Sequence, residues 1–406
     1  MDEIISLLSS VTRVSREQAE AFMMNYLREV KDFLVEGMIN DKYQPYDFIM
    51  PKSSVDMSHF RLKTPLSLVL LLTYRCSSHC LYCYANRDSR EDLSEMGLAF
   101  AKAIVDQACD SKVQVMYLGG GDPFTRRWVF DLIEYINSKD IILILSTKEY
   151  LTPNMCFRLA DSGVLRMQVS IDSLKPESTE MLVGRKGYVA EAIHTIGNLQ
   201  LAGITVSTNS VVTKYNVMDI PELVKYLVSA VIENIVLSRY YRSTYRHCDS
   251  LFVDDSDIAW LNDQIDKINK HNAIVATPRL DSGNLTNQEK FAKFLSRARC
   301  AFGRMGLVIT PSGKVIPCEQ LPSKEPFLLG DLSKTTLNDV WQSDKVKSLL
   351  YPEKSYFLGR ACYECEHYVK CVHEMGWCVR DVYKVYGSAW GIHPLCPKSN
   401  HNVRLR

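Results

Sequence analysis

Between about residue 66 and residue 245 the chain repeats one pattern: a short apolar or β-branched run, a polar break, then an amphipathic stretch. The runs are Leu66–Leu72, Val113–Leu118, Ile141–Leu145, Leu165–Ile171, Thr205–Val212 and Asn234–Leu237. Amphipathic stretches separate them, for example Leu98–Ala108, Trp128–Ile136, Val189–Leu201 and Ile220–Val228, with apolar residues at helical spacing. Strands alternating with helices predict an α/β fold whose parallel strands are joined by right-handed crossovers. Six such units suit a partial (β/α)6 barrel better than a closed eight-fold one. In such sheets functional groups gather beyond the C-terminal ends of the strands.

The flanking regions have a different texture. Residues 1–65 begin as helix: Ser15 and Gln18 have capping-box spacing, and Phe22, Met23, Tyr26, Leu27, Val30, Phe33 and Leu34 form one apolar face. The stretch from Tyr43 to Pro51 is mixed and reads as loop. This region serves either as a helical cap on the next domain or as a peptide-docking element. The repeating core spans 66–253, and 254–299 reads as a helical linker. Residues 300–406 form a small, turn-rich, cysteine-rich C-terminal domain, with Val308–Thr310, a Ser312–Gly313 turn and Val315–Ile316 as a hairpin.

Composition narrows the function. The 406 residues are 46% hydrophobic and 23% charged, with a formal net charge of +1. These are ordinary globular values, and the charge gives no bulk attraction for nucleic acid. No apolar run approaches the roughly 20 residues needed to cross a bilayer, and the N-terminus lacks a signal-peptide core. A cytoplasmic protein without membrane or nucleic-acid partners is expected. The 13 cysteines change the picture, because seven fall after residue 299 and three lie within eight residues of one another. Clusters of this kind in a reducing compartment point to metal or catalysis rather than to disulfides.

The sharpest motif is TYRCSSHCLYCYAN at 73–86, directly after the first strand, with Cys76, Cys80 and Cys83 spaced i, i+4 and i+7. Soft thiolates so close together suit an iron–sulfur cluster or zinc. Three ligands leave one metal position open for chemistry, where a structural zinc site would use four. His79 is the residue that could close a zinc site. The Cx3CxΦC pattern, with Tyr82 before the last cysteine, resembles the radical S-adenosylmethionine superfamily. That resemblance implies a [4Fe–4S] cluster on Cys76, Cys80 and Cys83, with S-adenosyl-L-methionine chelated to the fourth iron. Reductive cleavage of the sulfonium would then yield a 5′-deoxyadenosyl radical.

The same resemblance assigns cofactor contacts at the later strand ends. Gly119–Gly120–Gly121–Asp122–Pro123 is similar to the family's Gly-Gly-Glu-Pro motif, with Asp122 as a shorter carboxylate whose contact is expected to be indirect. Ser146 ends the third strand, followed by Thr147, Lys148 and Glu149, which depart from the family pattern. Ser170 and Asp172 resemble the ribose-contact segment, and alternation turns them to one side. Gly184–Arg185–Lys186–Gly187 resembles another cofactor segment, with Val183 where the family has arginine and Arg185 as the substitute carboxylate partner. Asn209 and Arg239 are further lumen candidates.

Cys300, Gly313 and Cys318, followed by Cys362, Cys365, Cys371, Cys378 and Cys396, are compatible by spacing with zinc or iron–sulfur. Together with the first triad they resemble the SPASM-type extension of radical enzymes. The resemblance implies one auxiliary [4Fe–4S] cluster on Cys362, Cys365, Cys371 and Cys396. A second falls to Cys300, Cys318 and Cys378, its fourth ligand supplied by another group, by substrate, or missing. Cys109 and Cys156 read as buried apolar residues, and Cys248 as a loop cysteine.

Enzymes with this extension usually modify peptides or proteins. The expected activity is a radical peptide maturase that forms a thioether or carbon–carbon cross-link in a ribosomally made precursor peptide with a leader. A flavodoxin or ferredoxin would supply electrons. The N-terminal helix, ending near Gly37–Met38–Ile39, is similar in part to a PqqD-like leader-recognition element. The alternatives are an anaerobic sulfatase-maturating enzyme that forms formylglycine and a non-catalytic zinc-binding scaffold.

Overall fold

The computed structural model describes residues 5, 15–30, 55–56, 61–85, 94–232, 234–270, 286–295, 297 and 299–399. The chain divides into two compact units, 1–63 and 64–406.

In the first unit a helix runs Arg16–Val30. Its N-terminus is closed reciprocally: the Ser15 N–H donates to Gln18 Oε1 (3.0 Å) and the Gln18 N–H to Ser15 Oγ (3.2 Å). This is the capping box that the spacing announces, and it satisfies two backbone donors that a helix start leaves open. Strands β1 (Val55–Asp56) and β2 (Arg61–Leu62) pair antiparallel. The segments Tyr43–Pro51 and Gly37–Met38–Ile39 lie outside the described residues.

The second unit is built on β3 (Ser67–Thr73), β4 (Val115–Gly120), β5 (Ile142–Thr147), β6 (Arg166–Ser170), β7 (Thr205–Val212) and β8 (Asn234–Arg239). These six strands pair in parallel in sequence order. Helices 98–110, 129–137, 153–161, 188–201 and 220–229 lie in the crossovers. β3 and β8 do not pair, so the sheet is open, as a six-unit barrel should be. On its other edge β3 pairs in parallel with β9 (Gly306–Ile309), which continues antiparallel into β10 (Lys314–Ile316) and β11 (Gly330–Asp331). The cysteine-rich region is therefore stitched into the main sheet by backbone hydrogen bonds.

The hairpin turn explains why glycine stands at position 313. Its φ is +83°, and a Cβ there would meet the ring of Phe100 at 2.7 Å. Phe100 belongs to the first crossover helix, so this glycine lets the hairpin close against that helix.

Side-chain alternation separates core from lumen. On β6, β7 and β8, Met167, Val169, Val206, Thr208, Ile235 and Leu237 are buried against the helices. Their neighbours Gln168, Ser170, Ser207, Asn209 and Ser238 are half-buried and polar. Leu68, Leu70 and Leu72 on β3 are fully buried, each worth about 1.5–3 kcal/mol of hydrophobic stabilisation. A rigid apolar outer layer thus carries a polar inner face.

Candidate active site

The cysteine loop leaves β3 at Thr73 and is fixed from two sides. On one side the His79 N–H donates to Val183 O (2.8 Å) and the Leu81 N–H to Leu182 O (2.9 Å), at the end of helix 176–183. On the other, the Gly121 N–H donates to Thr73 O (2.7 Å) and the Asp122 N–H to Arg75 O (2.8 Å). The glycines are required by this approach. A Cβ on Gly121 would lie 2.0 Å from the Arg75 carbonyl oxygen, and one on Gly120 (φ +127°) 2.1 Å from that of Thr73. Glu95 adds a third tie, accepting from the Thr73 hydroxyl and the Tyr74 N–H (3.3 Å) while paired with Arg126 at 2.6 Å. No motif in the sequence pointed to Glu95 or Arg126.

Asp122 faces inward and is buried, and burial pushes its carboxyl up to about 6. Its Oδ2 accepts from Thr147 Oγ1 and the Lys148 N–H, both at 2.8 Å, and its Oδ1 from the Phe124 N–H (3.1 Å). The carboxylate is thus committed to holding the ends of β4 and β5 together.

Lys148 is a member of the site that the sequence left without a role. Its ammonium lies 3.4 Å from Asp172 Oδ2 and 5.6 and 5.3 Å from the ring centres of Tyr82 and Tyr188. Burial would lower its pKa, but Asp172, Tyr188 and Cys80 hold it above the usual lysine value. Asp172 is fully buried, accepts from the Tyr82 hydroxyl, and takes the Val211 N–H at 2.8 Å. Removing one partner of a buried ion pair leaves an uncompensated charge. Asp172→Ala is expected to cost about 3–5 kcal/mol in urea unfolding of the metal-free protein. A loss below about 1 kcal/mol, the value of an exposed pair, would contradict this reading of the pair.

These strand ends enclose a cavity of about 340 Å³. Cys76, Cys80, Tyr82, Cys83, Gly120, Gly121, Asp122, Ser146, Ser170 and Asn209 all line it, joined by Lys148, Arg239, Tyr84, Tyr241 and Gln320. Two expected residues stand outside the wall. Asp172 lies beyond the end of β6, where Oδ1 takes the Val211 N–H of β7 and Oδ2 stands behind Lys148 and Tyr82, which themselves line the cavity. Arg185 spends its guanidinium on the protein: it donates to Ser77, Ser78 (3.3 Å), Lys148 O (2.8 Å) and Glu191, with Glu149 at 3.6 Å. It clamps the cysteine loop to the end of β5.

Cys80 is buried, and burial pushes its thiol up to about 11, with Asp172, Cys83 and Cys76 adding to the shift. Farther along the chain the thiols fall into two sets. Cys362, Cys365, Cys371 and Cys396 line one small pocket with Phe294 and Tyr368. There burial, then Cys396, Cys371 and Cys365, push Cys362 up to about 12. Cys300, Cys318 and Cys378 form the other: burial raises Cys318 to about 11 and Cys378 to about 12, and the Cys300 thiol acts on both. Beside Cys378, Asp381 and His393 bring ligand atoms to within 4.8 Å of its sulfur and of each other. Cys156 is fully buried and Cys248 is exposed beside Ser250, apart from these sets.

The donor chemistry fits iron–sulfur clusters. Buried neutral thiols that raise one another's pKa become favourable thiolates once a metal core supplies the charge. Among the described residues, no three of these sulfurs gather within 4.8 Å as ligands of a single ion do, whereas a cubane accepts one thiolate at each separate iron. Fold and site define an iron–sulfur enzyme with an open partial barrel. Residues 70–227 match the radical SAM superfamily, and 300–366 match the SPASM iron–sulfur cluster-binding domain. The chain belongs to the radical SAM superfamily, carries a SPASM domain, and uses [4Fe–4S] clusters and S-adenosylmethionine.

Relatives include the PqqA peptide cyclase of Rhizobium meliloti (strain 1021), 25% identical over 85% of this chain and 90% of that protein. The mycofactocin maturase MftC of Mycobacterium tuberculosis (strain ATCC 25618 / H37Rv) is 26% identical over 76% of this chain and 78% of that one. Among solved structures, Streptococcus suis SuiB bound to S-adenosylmethionine has the same fold, with a TM-score of 0.66 at 20% identity over 98% of this chain and 93% of that one. No described helix is long and apolar enough to cross a membrane.

Proposed function

We propose that this chain is a peptide maturase that joins two residues of a precursor peptide by a thioether or carbon–carbon bond. The observation that carries the reading is the cavity of about 340 Å³ at the strand ends, where the cysteine loop, the glycine segment and Gln320 of the C-terminal region face one space. Relatives named as a PqqA peptide cyclase and a mycofactocin maturase support a peptide as the substrate. A solved SuiB structure is bound to a precursor peptide.

In this reading Cys76, Cys80 and Cys83 hold the radical-generating cluster, which supplies one-electron cleavage of the sulfonium and a hydrogen-abstracting radical. The chain's own residues orient and shield that chemistry. Gly120 and Gly121 seat the loop, and Asp122 fixes the β4 and β5 ends. Ser146, Ser170 and Asn209 offer polar contacts from the lumen, and Lys148 supplies a fixed cation beside Cys80. The two later cysteine sets hold auxiliary clusters, an electron-carrier protein of the flavodoxin or ferredoxin class provides reducing electrons, and the N-terminal unit receives the leader.

The test is anaerobic turnover of the reconstituted protein with a precursor peptide encoded beside its gene, read by mass spectrometry. Cross-linking removes two hydrogen masses and no heavy atom. Formation of formylglycine from cysteine or serine on a sulfatase, with the precursor unchanged, would overturn the proposal.

A further inference from the structure

The parallel sheet has one weak seam. β5 and β6 pair at only two positions, Ser146 with Gln168 and Thr147 with Val169. By contrast, β4 and β5 pair at four positions and β6 and β7 at five. Before those two rungs the strands part around a cleft of about 950 Å³. Consecutive residues line it from both strands, Ile141–Leu145 and Val164–Gln168, so strand edges front the space. The Ile142 N–H is spent on Gln114 O, on the β4 side (2.8 Å). Alternation therefore turns the Leu143 and Leu145 amides toward the cleft. Its exposed lining is apolar: Ile142, Ile144 and Leu165 leave 61%, 38% and 77% of their surface open. Tyr117, the partner of Ile144 on β4, is 41% exposed. The cleft is braced, because the Asn137 amide at the end of helix 129–137 donates to Ser162 O after helix 153–161 (2.7 Å). Gln168 lines both this cleft and the cavity at the strand ends, so the two spaces adjoin.

From this seam we infer a second peptide site: the cleft between β5 and β6 takes an extended, apolar segment of the precursor, paired through its main chain with the open edge of β5. An unpaired strand edge is a template for another strand. Main-chain bonds of this kind hold an extended peptide, while the side-chain lining selects its residues. The inference rests on the maturase reading above and deepens it, naming what grips the substrate away from the reacting atoms. Three features fix the occupant. A strand edge asks for a partner with regularly spaced N–H and C=O groups, which a small metabolite lacks. Ile142, Ile144 and Tyr117 ask for apolar or aromatic side chains at alternate positions. The junction at Gln168 asks for a molecule that also enters the upper cavity. A peptide with its reacting residue there reaches the cleft within a few residues, since Ser146 and Ile142 are separated by about 13 Å of extended strand. No bond is made or broken at this site.

The test uses the reconstituted holoenzyme and the precursor peptide encoded beside its gene. p-Benzoylphenylalanine in place of Ile142 is irradiated with the peptide, and the photoadduct is mapped by mass spectrometry. An adduct to one segment of the precursor, suppressed by excess unmodified precursor, is expected. Adducts only within the chain or to a second copy would overturn the inference, as would no adduct at all. Ile144→Lys puts a charge into the apolar seam and is expected to weaken precursor binding, read by fluorescence anisotropy, about tenfold or more. If that variant loads less iron, Tyr117→Lys is judged by the same criterion. Methylating amide nitrogens of the adduct-forming segment removes strand-pairing donors and should also weaken binding several-fold. Wild-type affinity in the variant or for the methylated peptide would contradict the site. These readouts need no turnover, so the two readings fail separately. A precursor that occupies the seam and is never matured counts against the maturase reading, whereas one matured without occupying it counts against this inference alone.

Discussion

Cys83→Ala is expected to abolish reductive cleavage of S-adenosylmethionine by the reconstituted protein. In the proposed assignment the three thiols of the loop are the protein's whole contribution to that cluster, so losing one would leave two irons without a protein ligand. The scaffold around it is independent of the thiol: the loop backbone is held by helix 176–183 and by the Gly121 and Asp122 amides. The substitution removes one sulfur from a half-buried position. The fold should survive while 5′-deoxyadenosine, measured by chromatography after anaerobic incubation with dithionite, falls to background. Continued production at the wild-type level would contradict the assignment of the site.

Gly121→Ala should have nearly as large an effect through geometry alone. A methyl group 2.0 Å from the Arg75 carbonyl oxygen cannot be accommodated, and the nearby atoms are backbone, which cannot rotate aside. The loop has to move, breaking the 2.7 and 2.8 Å bonds from Gly121 and Asp122. Overpacking of this kind costs about 1–3 kcal/mol, which a unit of this size tolerates. The displaced loop is expected to bind less iron and to lose most cleavage activity while the far-ultraviolet circular dichroism stays unchanged. Wild-type iron content and activity in this variant would refute the close approach.

The radical-cluster loop and the strands around it were legible because period and spacing are local properties. Each of the six runs in the core coincides with a parallel strand, displaced by at most a few residues, since hydrophobicity does not mark where pairing ends. Gly119 and Gly120 illustrate this: the apolar run stops at Leu118, and the two glycines beyond it form the last rungs of β4. The Ser15–Gln18 cap was readable for the same local reason.

Residues whose role depends on distant partners were not readable. Lys148 is a surface-type residue by composition, and only folding brings Asp172, Tyr82 and Tyr188 around it. Arg185 had a plausible ligand role by register, but Ser77, Lys148 O and Glu191 claim its guanidinium. Asp172 stands two residues past the end of β6 at Ser170, so its contacts with Lys148 and Tyr82 come from folding rather than from strand alternation. The union of β9 with β3 is likewise a tertiary event, joining segments more than two hundred residues apart through a register that no motif encodes.

The central claim is that three thiols leave one iron of their cluster open for S-adenosylmethionine. The most direct measurement is low-temperature electron paramagnetic resonance of the reduced, reconstituted protein before and after that compound is added. To isolate the signal, the later sets are silenced by alanine at Cys318 and Cys365. The account expects the remaining resonance to change shape and position on addition. An identical spectrum with and without S-adenosylmethionine would contradict it.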